Sequence, residues 1–269
     1  MRLAISNLAW PSAQDEVVFD RLARLGVSGV EVAPTRLAAW DALSTSLLTG
    51  YRARVEAAGL VVSSLQAVLF GRPELQLLGE GAAFDGMLEH MRHVADIGAT
   101  LGAGVLVFGA PRNRLRADME LGRAWARACE RLWLLGEITF AAGVIIGIEP
   151  VPAVYGGDFL ASWSDVLRMV QDVDHPGVHV HLDTGCVALG GGLIEAAVIE
   201  SGKLLAHFHA AQPQLGDFQD PLLNHRTAAA ALHATGYDRW IAIEMREQPE
   251  DPVGAAEQAI QVVRGIYGL

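Results

Sequence analysis

Residues 145–150 read IIGIEP, an apolar run that ends in a carboxylate, Glu149. Such a run is typical of a β-strand that is buried on both faces of a parallel sheet. Three later segments have the same form, an apolar strand that ends in one ionisable side chain: VHVHLDTG (178–185) with Asp183, LLAHFHA (204–210) with His209 and WIAIEM (240–245) with Glu244. Each interval between them suits a βαβ unit, which takes roughly 30 residues. We therefore predict consecutive parallel strands whose carboxyl ends bring these four side chains together.

The alternation of strand and helix extends over the whole chain and predicts its fold class. The predicted strands are Leu3–Asn7, Val30–Ala33, Val61–Gln66, Val105–Phe108, Val144–Glu149, Val178–Asp183, Leu204–His209 and Trp240–Glu244. Amphipathic helical segments lie around residues 14–25, 44–58, 84–101, 119–142, 161–173, 192–200, 225–235 and 253–267. Eight such units predict an α/β protein, a single-domain (β/α)8 TIM barrel over residues 1–269. A doubly wound sheet is the alternative, but no Gly-rich turn follows the first strand, as that fold would require.

Turn and cap residues agree with this division of the chain. Ser162 or Ser164 is expected to cap the fifth helix and Asn224 the seventh. Glycines suited to a left-handed position lie between a helix and the next strand at five places: Gly26, Gly59, Gly102, Gly143 and Gly236. The longest irregular segments all follow strands, so they are expected on the face where barrels of this type hold their active sites: 71–83, 111–118, 151–160, 184–191 and 210–224.

Composition excludes several classes of function. The chain has 269 residues, of which 51% are hydrophobic, and its net charge of −11 disfavours nucleic acid, which binds basic surfaces. No apolar run reaches the ~18 residues of a membrane span. Two cysteines, Cys129 and Cys186, are too few for a disulfide framework and indicate a reducing compartment. We expect a cytoplasmic protein that acts on a small molecule, with no nucleic-acid or membrane partner; the sequence leaves a homo-oligomer open.

The four strand-end side chains have the chemistry of a metal site. Taken singly, Glu149 suits a salt bridge and Asp183 a helix N-cap. Together, three carboxylates would repel one another and raise each other's pKa unless a cation lay between them. Oxygen ligands with a single imidazole suit Mn²⁺, Mg²⁺ or Co²⁺, and Zn²⁺ is also compatible. We predict one divalent metal ion bound by Glu149, Asp183, His209 and Glu244; His207 shares a face with His209 but lies farther from the end of the strand.

These motifs resemble those of the xylose isomerase-like TIM barrels, a superfamily of sugar and sugar-phosphate isomerases and epimerases that also contains apurinic endonucleases. The resemblance covers the whole chain, from Ser6-Asn7-Leu8-Ala9-Trp10 onward. It is carried by Ile148-Glu149-Pro150, Leu182-Asp183-Thr184-Gly185, His207-Phe208-His209 and Gly236-Tyr237-Asp238 before Ile243-Glu244. It implies that the four strand-end residues bind the metal and that Glu149 and Glu244 also act as acid and base.

The chain departs from the family pattern around the substrate. Many relatives carry a histidine three residues after the metal-binding aspartate, where this chain has Cys186. A thiol donates only weak hydrogen bonds and cannot replace an imidazolium. Relatives also often supply an arginine soon after the strand-seven histidine, and none occurs in residues 212–218. The substrate contacts of the familiar epimerases are therefore not expected here.

Five residues are candidate substrate contacts. Gln66 ends the third strand and can hydrogen bond a polyol, and Glu31 in the second strand suits either a substrate hydroxyl or a salt bridge. Arg112 suits an anionic group or a solvated loop. Cys186 and His225 complete the set, both of them in predicted loops or helix starts that face the site.

We expect metal-dependent isomerisation or epimerisation of a small sugar, keto-sugar or polyol, phosphorylated or not, through an enediolate. An inosose-type dehydratase would share the first step. Phosphodiester cleavage, as in apurinic endonucleases, is disfavoured because the third and fourth strands lack the histidines of those zinc sites. A non-catalytic sugar-binding barrel remains as a further alternative.

Overall fold

Eight parallel strands close into a barrel in the computed structural model, which describes residues 1–219, 221, 223 and 225–269. Each strand pairs with the next along the chain and the eighth pairs with the first. The strands are β1 (Arg2–Ser6), β2 (Gly29–Val32), β3 (Val61–Leu65), β4 (Val105–Phe108), β5 (Ile145–Ile148), β6 (Val178–Asp183), β7 (Leu205–Ala211) and β8 (Trp240–Glu244).

Helices surround the barrel and cover its outer face. Within the described residues they are α1 (Asp15–Arg24), α2 (Thr45–Ala57), α3 (Ala82–Leu101), α4 (Leu121–Ala141), α5 (Trp163–Val173), α6 (Thr184–Leu189), α7 (Ile194–Ser201), α8 (His225–Ala234) and α9 (Pro252–Tyr267). Ile146 and Ile148 on one face of β5 and Gly147 on the other are all buried, as expected of a strand with helices on one side and the barrel interior on the other. The predicted (β/α)8 TIM barrel is confirmed.

All eight predicted strands form, with ends that differ by at most two residues. One predicted irregular segment is partly wrong, because helix α6 begins directly after β6 within 184–191. The cause is Asp183, whose Oδ1 accepts a hydrogen bond of 2.6 Å from the backbone N–H of Cys186 and so caps the helix.

The predicted caps are confirmed where the structure describes them. The five glycines have φ between 67° and 82°. Ser162 caps α5 by accepting a hydrogen bond from the N–H of Asp165. The predicted cap Asn224 lies outside the described residues.

Two register shifts align polar residues across the barrel wall. Between Val30 and Glu31, β2 moves along β3 so that Glu31 pairs with Ser64. Between Val180 and His181, β6 moves along β7 so that His181 pairs with His207 and Asp183 with His209. Each shift inserts one extra residue on the partner strand, as a β-bulge does.

No helix in the described part of the chain has the length and apolarity needed to cross a bilayer.

Gly59 and Gly50 provide a test of the backbone conformation. Both have open space where a Cβ would lie, but Gly59 has a φ of 78° and Gly50 lies inside α2. Because a left-handed conformation is unfavourable for L-residues, Gly59→Ala is expected to lower the free energy of unfolding by about 1 kcal/mol. Gly50→Ala is expected to raise it by about 0.5–1 kcal/mol. Urea unfolding measures both free energies, and equal effects of the two substitutions would contradict the left-handed conformation of Gly59.

Candidate functional site

The four strand-end candidates converge at the carboxyl-terminal mouth of the barrel. Glu149, Asp183, His209 and Glu244 each offer a ligand atom, and these atoms all lie within 4.8 Å of one another. His209 Nδ1 lies 3.2 Å from Glu244 Oε2 and 3.7 Å from Asp183 Oδ2. The predicted convergence is therefore present in the structure.

The carboxyl groups of this cluster are largely buried, and burial shifts their pKa values. Burial raises the pKa of Glu149 well above its ordinary value, and the charges of Asp183 and Glu244 raise it further. Burial also raises the pKa of Glu244, although the neighbouring His209 opposes the shift. The protein alone thus disfavours full ionisation of the cluster.

Beneath the cluster, Glu31 is completely buried and receives three donors. Its carboxylate accepts a hydrogen bond of 2.7 Å from Ser64 Oγ, and its oxygens lie 2.9 Å from Nε2 of both His207 and His209. Burial raises the pKa of Glu31, but the charge of His209 and the hydrogen bonds from both histidines outweigh it and hold the pKa well below its ordinary value. The network continues the polar site into the barrel interior.

His181 completes this interior layer. Its ring stacks on that of His207 with centroids 5.3 Å apart and meets His209 edge-on at 4.1 Å. Burial, with the nearby histidines, holds the pKa of His181 well below its ordinary value, so the ring is neutral. Gly147 on β5 leaves the room it needs, because a Cβ there would lie 3.0 Å from the Cβ of His181.

Gly109 and Arg114 position Glu149 from the side of β4. A Cβ at residue 109 would overlap Glu149 Oε2, so only glycine allows this close approach. Arg114 is fully buried, and its guanidinium donates to the backbone carbonyl oxygens of Glu149, at 2.7 Å, and Leu160, at 3.3 Å. Burial lowers the pKa of Arg114 to about 10, so it remains a cation beside the cluster at neutral pH.

A cavity of about 630 Å³ opens above the cluster. Glu149 and Glu244 lie on its wall, together with Gln66, Arg112 and Tyr155. The remaining wall is formed by residues 67–73 after β3, by residues 109–113 after β4 and by Leu8 and Val107. The size is typical of a small-molecule site, for which about 300–1,000 Å³ is usual.

The five predicted substrate contacts lie in different places in the structure. Gln66 and Arg112 line the cavity, and Cys186 Sγ lies 3.9 Å from Glu149 Oε1. Burial raises the pKa of Cys186 well above its ordinary value, so it stays a neutral thiol. Glu31 lies beneath the cluster rather than on the cavity wall. Its carboxylate pairs with His207 and His209, which agrees with the salt-bridge interpretation of this residue.

His225 lies apart from this cavity, at the start of α8. Its ring is hydrogen-bonded to Gln212 Nε2 at 2.7 Å and to the hydroxyl of Tyr267 at 3.0 Å. It lines a separate pocket of about 280 Å³ between α6, α7 and α8. Burial lowers the pKa of His225 to about 4, so it is neutral at physiological pH.

Several residues of the site were not predicted from the sequence. His181 lies two residues before Asp183, so the two-residue period of β6 could have placed both on one face. Gly109 directly follows the fourth strand, in the same position that Glu149 has after the fifth, so the two could have been expected to lie side by side. Tyr155 lies in a loop, where no periodic pattern identifies the residues that turn inward. Arg114 was recognisable only as one of three arginines in the fourth loop that could bind an anion, whereas the structure buries its guanidinium against backbone carbonyl oxygens.

The cluster fits a divalent cation. Asp183 Oδ2 and His209 Nδ1 are buried without a hydrogen bond of acceptable geometry in the described part of the chain. Such unpaired polar atoms cost free energy unless something binds them. Carboxylate oxygens and one imidazole nitrogen are the donors that hard or intermediate divalent ions take.

Comparisons with known proteins agree with this description. A family model described as xylose isomerase-like TIM barrel matches residues 19–266. A solved D-psicose 3-epimerase, in the presence of D-fructose, matches with a TM-score of 0.85 at 18% identity and 100% coverage of both chains. A D-psicose 3-epimerase with D-tagatose, from Clostridium cellulolyticum H10, gives 0.84 at 16% identity, covering 99% of each chain. A 3-keto-D-glucoside 4-epimerase from E. coli gives 0.77 at 18% identity, covering 98% of this chain and 99% of the other. No curated protein matches.

The raised pKa of Glu149 predicts a pH-dependent stability without metal. Because folding raises this pKa, ionisation of the carboxyl disfavours the folded state, and stability is lost as the pH rises above the ordinary value. Glu149→Gln stays neutral, so in a chelator it is expected to unfold at a higher temperature than the parent at about pH 8 and at nearly the same temperature at about pH 4. Calorimetry measures both. Glu130→Gln, an exposed change on α4, is the control, and a pH-independent difference for Glu149→Gln would refute the expectation.

Proposed function

The chain belongs to the xylose isomerase-like TIM barrel family, and on that premise we propose that it is a divalent-metal-dependent isomerase or epimerase of a small sugar, keto-sugar or polyol. The observation that carries the proposal is the convergence of Glu149, Asp183, His209 and Glu244 beside a cavity of small-molecule size, with Glu149 and Glu244 on its wall. The solved epimerases of similar fold support it.

Glu149, Asp183, His209 and Glu244 would hold the metal ion, with Mn²⁺, Mg²⁺ or Co²⁺ favoured by the donor set and Zn²⁺ compatible with it. A bound divalent ion supplies Lewis acidity, which polarises a carbonyl group and acidifies the neighbouring C–H bond. All other steps belong to the protein's own side chains.

Glu149 and Glu244 carry the proton transfers. They reach the cavity from different strands, β5 and β8, and both lie on its wall. One carboxylate removes the proton from the carbon beside the carbonyl, and the other carboxyl group returns a proton to the same or the adjacent carbon. Burial raises the pKa of both groups, which favours a carboxylate that accepts a proton readily.

Glu31 holds His209 in place for this task. Nε2 of His209 faces the buried carboxylate of Glu31, so Nδ1 is directed toward Asp183 and Glu244, where it would bind the metal after loss of its proton. A carboxylate behind a metal-binding imidazole fixes its tautomer and ring orientation. Ser64 and His207 hold Glu31 from the other side.

We place Gln66 at the reacting end of the substrate and Cys186 behind Glu149, because the thiol lines a neighbouring pocket rather than the substrate cavity. Gln66 lines the cavity and offers its amide to a hydroxyl group. The thiol of Cys186 lies beside Glu149 and stays protonated, so it acts as a weak neutral donor where many relatives present a histidine.

Loss of either glutamate is expected to abolish proton exchange. With Mn²⁺, Glu149→Gln or Glu244→Gln should slow deuterium incorporation from solvent into a keto-sugar by roughly 10²–10⁴-fold, the usual contribution of a general acid or base. Proton NMR of the substrate measures it, and metal content is determined for each variant. Glu137→Gln, which changes a glutamate that pairs with His175 and belongs neither to the cluster nor to the cavity wall, is the control. The absence of exchange with every keto-sugar, or exchange that persists in both variants, would overturn the proposal.

Glu31→Gln is expected to weaken metal binding. The amide cannot provide the negative charge behind His209, and loss of such a partner typically costs about 10–100-fold in metal affinity. Titration calorimetry with Mn²⁺ measures the change. Glu137→Gln again serves as the matched control, since it also changes the glutamate of a Glu–His pair, and an unchanged affinity in Glu31→Gln would show that the imidazole is oriented by other groups.

A further inference from the structure

The outer half of the cavity wall is mainly apolar. From this wall we infer that the substrate carries an apolar aromatic group at the end remote from its carbonyl. In chemical terms, an aryl-substituted keto-sugar or polyol, such as an aryl glycoside, is the substrate class. This inference rests on the proposed function, because it concerns the other end of the same substrate.

Two loops form this outer half, residues 67–73 after β3 and residues 109–113 after β4. Their contributions to the cavity wall are mainly apolar: Val68, Leu69, Phe70, Ala110 and Pro111. The carboxyl groups on the wall come from Glu149 and Glu244 at the strand ends, so the cavity combines a polar part at the strand ends with a mainly apolar part on the two loops.

The backbone of the first loop is already hydrogen-bonded within the protein. The N–H of Phe70 donates to the carbonyl of Ala67 at 2.9 Å, and the N–H of Arg72 donates to that of Leu69 at 3.1 Å. The carbonyl of Phe70 accepts from Trp40 Nε1 at 2.8 Å. These backbone groups are therefore engaged and do not recognise substrate hydroxyls.

The second loop is engaged in the same way. The carbonyl of Ala110 accepts from the N–H of Asn113 at 3.1 Å, and Pro111 has no N–H to offer. The carbonyl of Arg112 accepts from Gln76 Nε2 at 2.8 Å. The side-chain amide of Asn113 donates to two carbonyl oxygens of the first loop, at residues 72 and 75.

The charged side chain of the first loop is also occupied. Arg72 Nε lies 2.6 Å from Glu74 Oε1, and its Nη1 lies 3.3 Å from His90 Nδ1. A sugar hydroxyl placed against the apolar side chains of these loops, out of reach of the Arg112 guanidinium, would lose its water without gaining a partner, which is unfavourable. An aromatic ring in the same place would bind favourably, because it would bury its own apolar surface and that of the loop side chains.

Phe70 shows which apolar group fits. Its side chain lies on the cavity wall yet is 68% exposed, an unusual position for a large aromatic residue. Aromatic rings pair favourably in offset or edge-on arrangements. The planar guanidinium of Arg112 lines the same cavity and can stack on a ring as well.

The test compares three keto-sugars that differ only in the group on the oxygen farthest from the carbonyl: methyl, phenyl or phosphoryl. With Mn²⁺-loaded protein, kcat/KM for solvent deuterium exchange should be about tenfold or more higher for the phenyl compound than for the methyl compound. Phe70→Ala should remove most of this preference. Phe140→Ala, a matched change of an exposed phenylalanine on α4, should leave it intact.

Equal rates for the phenyl and methyl compounds would overturn the inference while leaving the proposed function standing. A preference for the phosphoryl compound that is lost in Arg112→Ala would overturn it too, in favour of an anion site. If no compound exchanges, the proposed function fails, and binding to the metal-free protein decides the inference. Saturation-transfer NMR signals on the phenyl protons that disappear in Phe70→Ala would support it, and their absence from the parent protein would overturn it.

Discussion

The imidazole of His209 joins two layers of the barrel interior. Below it lies the buried carboxylate of Glu31, and above it lie the carboxyl groups of Asp183 and Glu244. A ring with acidic partners on both edges has little freedom to rotate, so its orientation is set by the protein before any ligand arrives. Such preorganisation, supported by Ser64 and His207 around Glu31, is what separates a precise site from a loose group of ionisable side chains.

The sequence predicted the barrel and the upper layer of the site because both depend on local patterns. Each strand was recognisable as a short apolar run, and Glu149 or Glu244 at the end of such a run was conspicuous. The lower layer depends on pairing between distant strands. Glu31 was recognisable as a residue of β2, but its partnership with Ser64, His207 and His209 follows from barrel closure and from register shifts that no single strand encodes. Helix α6 was missed for a related reason, since Asp183 caps a helix with one oxygen and faces the cluster with the other.

The cavity divides into parts with different constraints. Its floor is built on strand ends, which the barrel holds rigidly, whereas its outer wall is built on the loops after β3 and β4. The first of these loops begins at Ala67, a non-glycine residue with a φ of 54°, and such strain persists where the surroundings impose it. A rigid polar floor and a loop-built wall let one scaffold keep its chemistry while its specificity is determined by the loops.

The register of β6 and β7 has a consequence for how such a centre can be lost. Ala206 is the extra residue on β7, and it brings His207 and His209 opposite His181 and Asp183. Leu205 pairs with Val180 and His207 with His181, so the side chains of Leu205 and His207 lie on opposite faces of the sheet; removing Ala206 would restore the regular alternation and leave both histidines facing the barrel interior. A one-residue insertion or deletion between His207 and His209 would instead place these two side chains on opposite faces, so in an evolving lineage the interior layer can be lost in one step while the barrel around it persists.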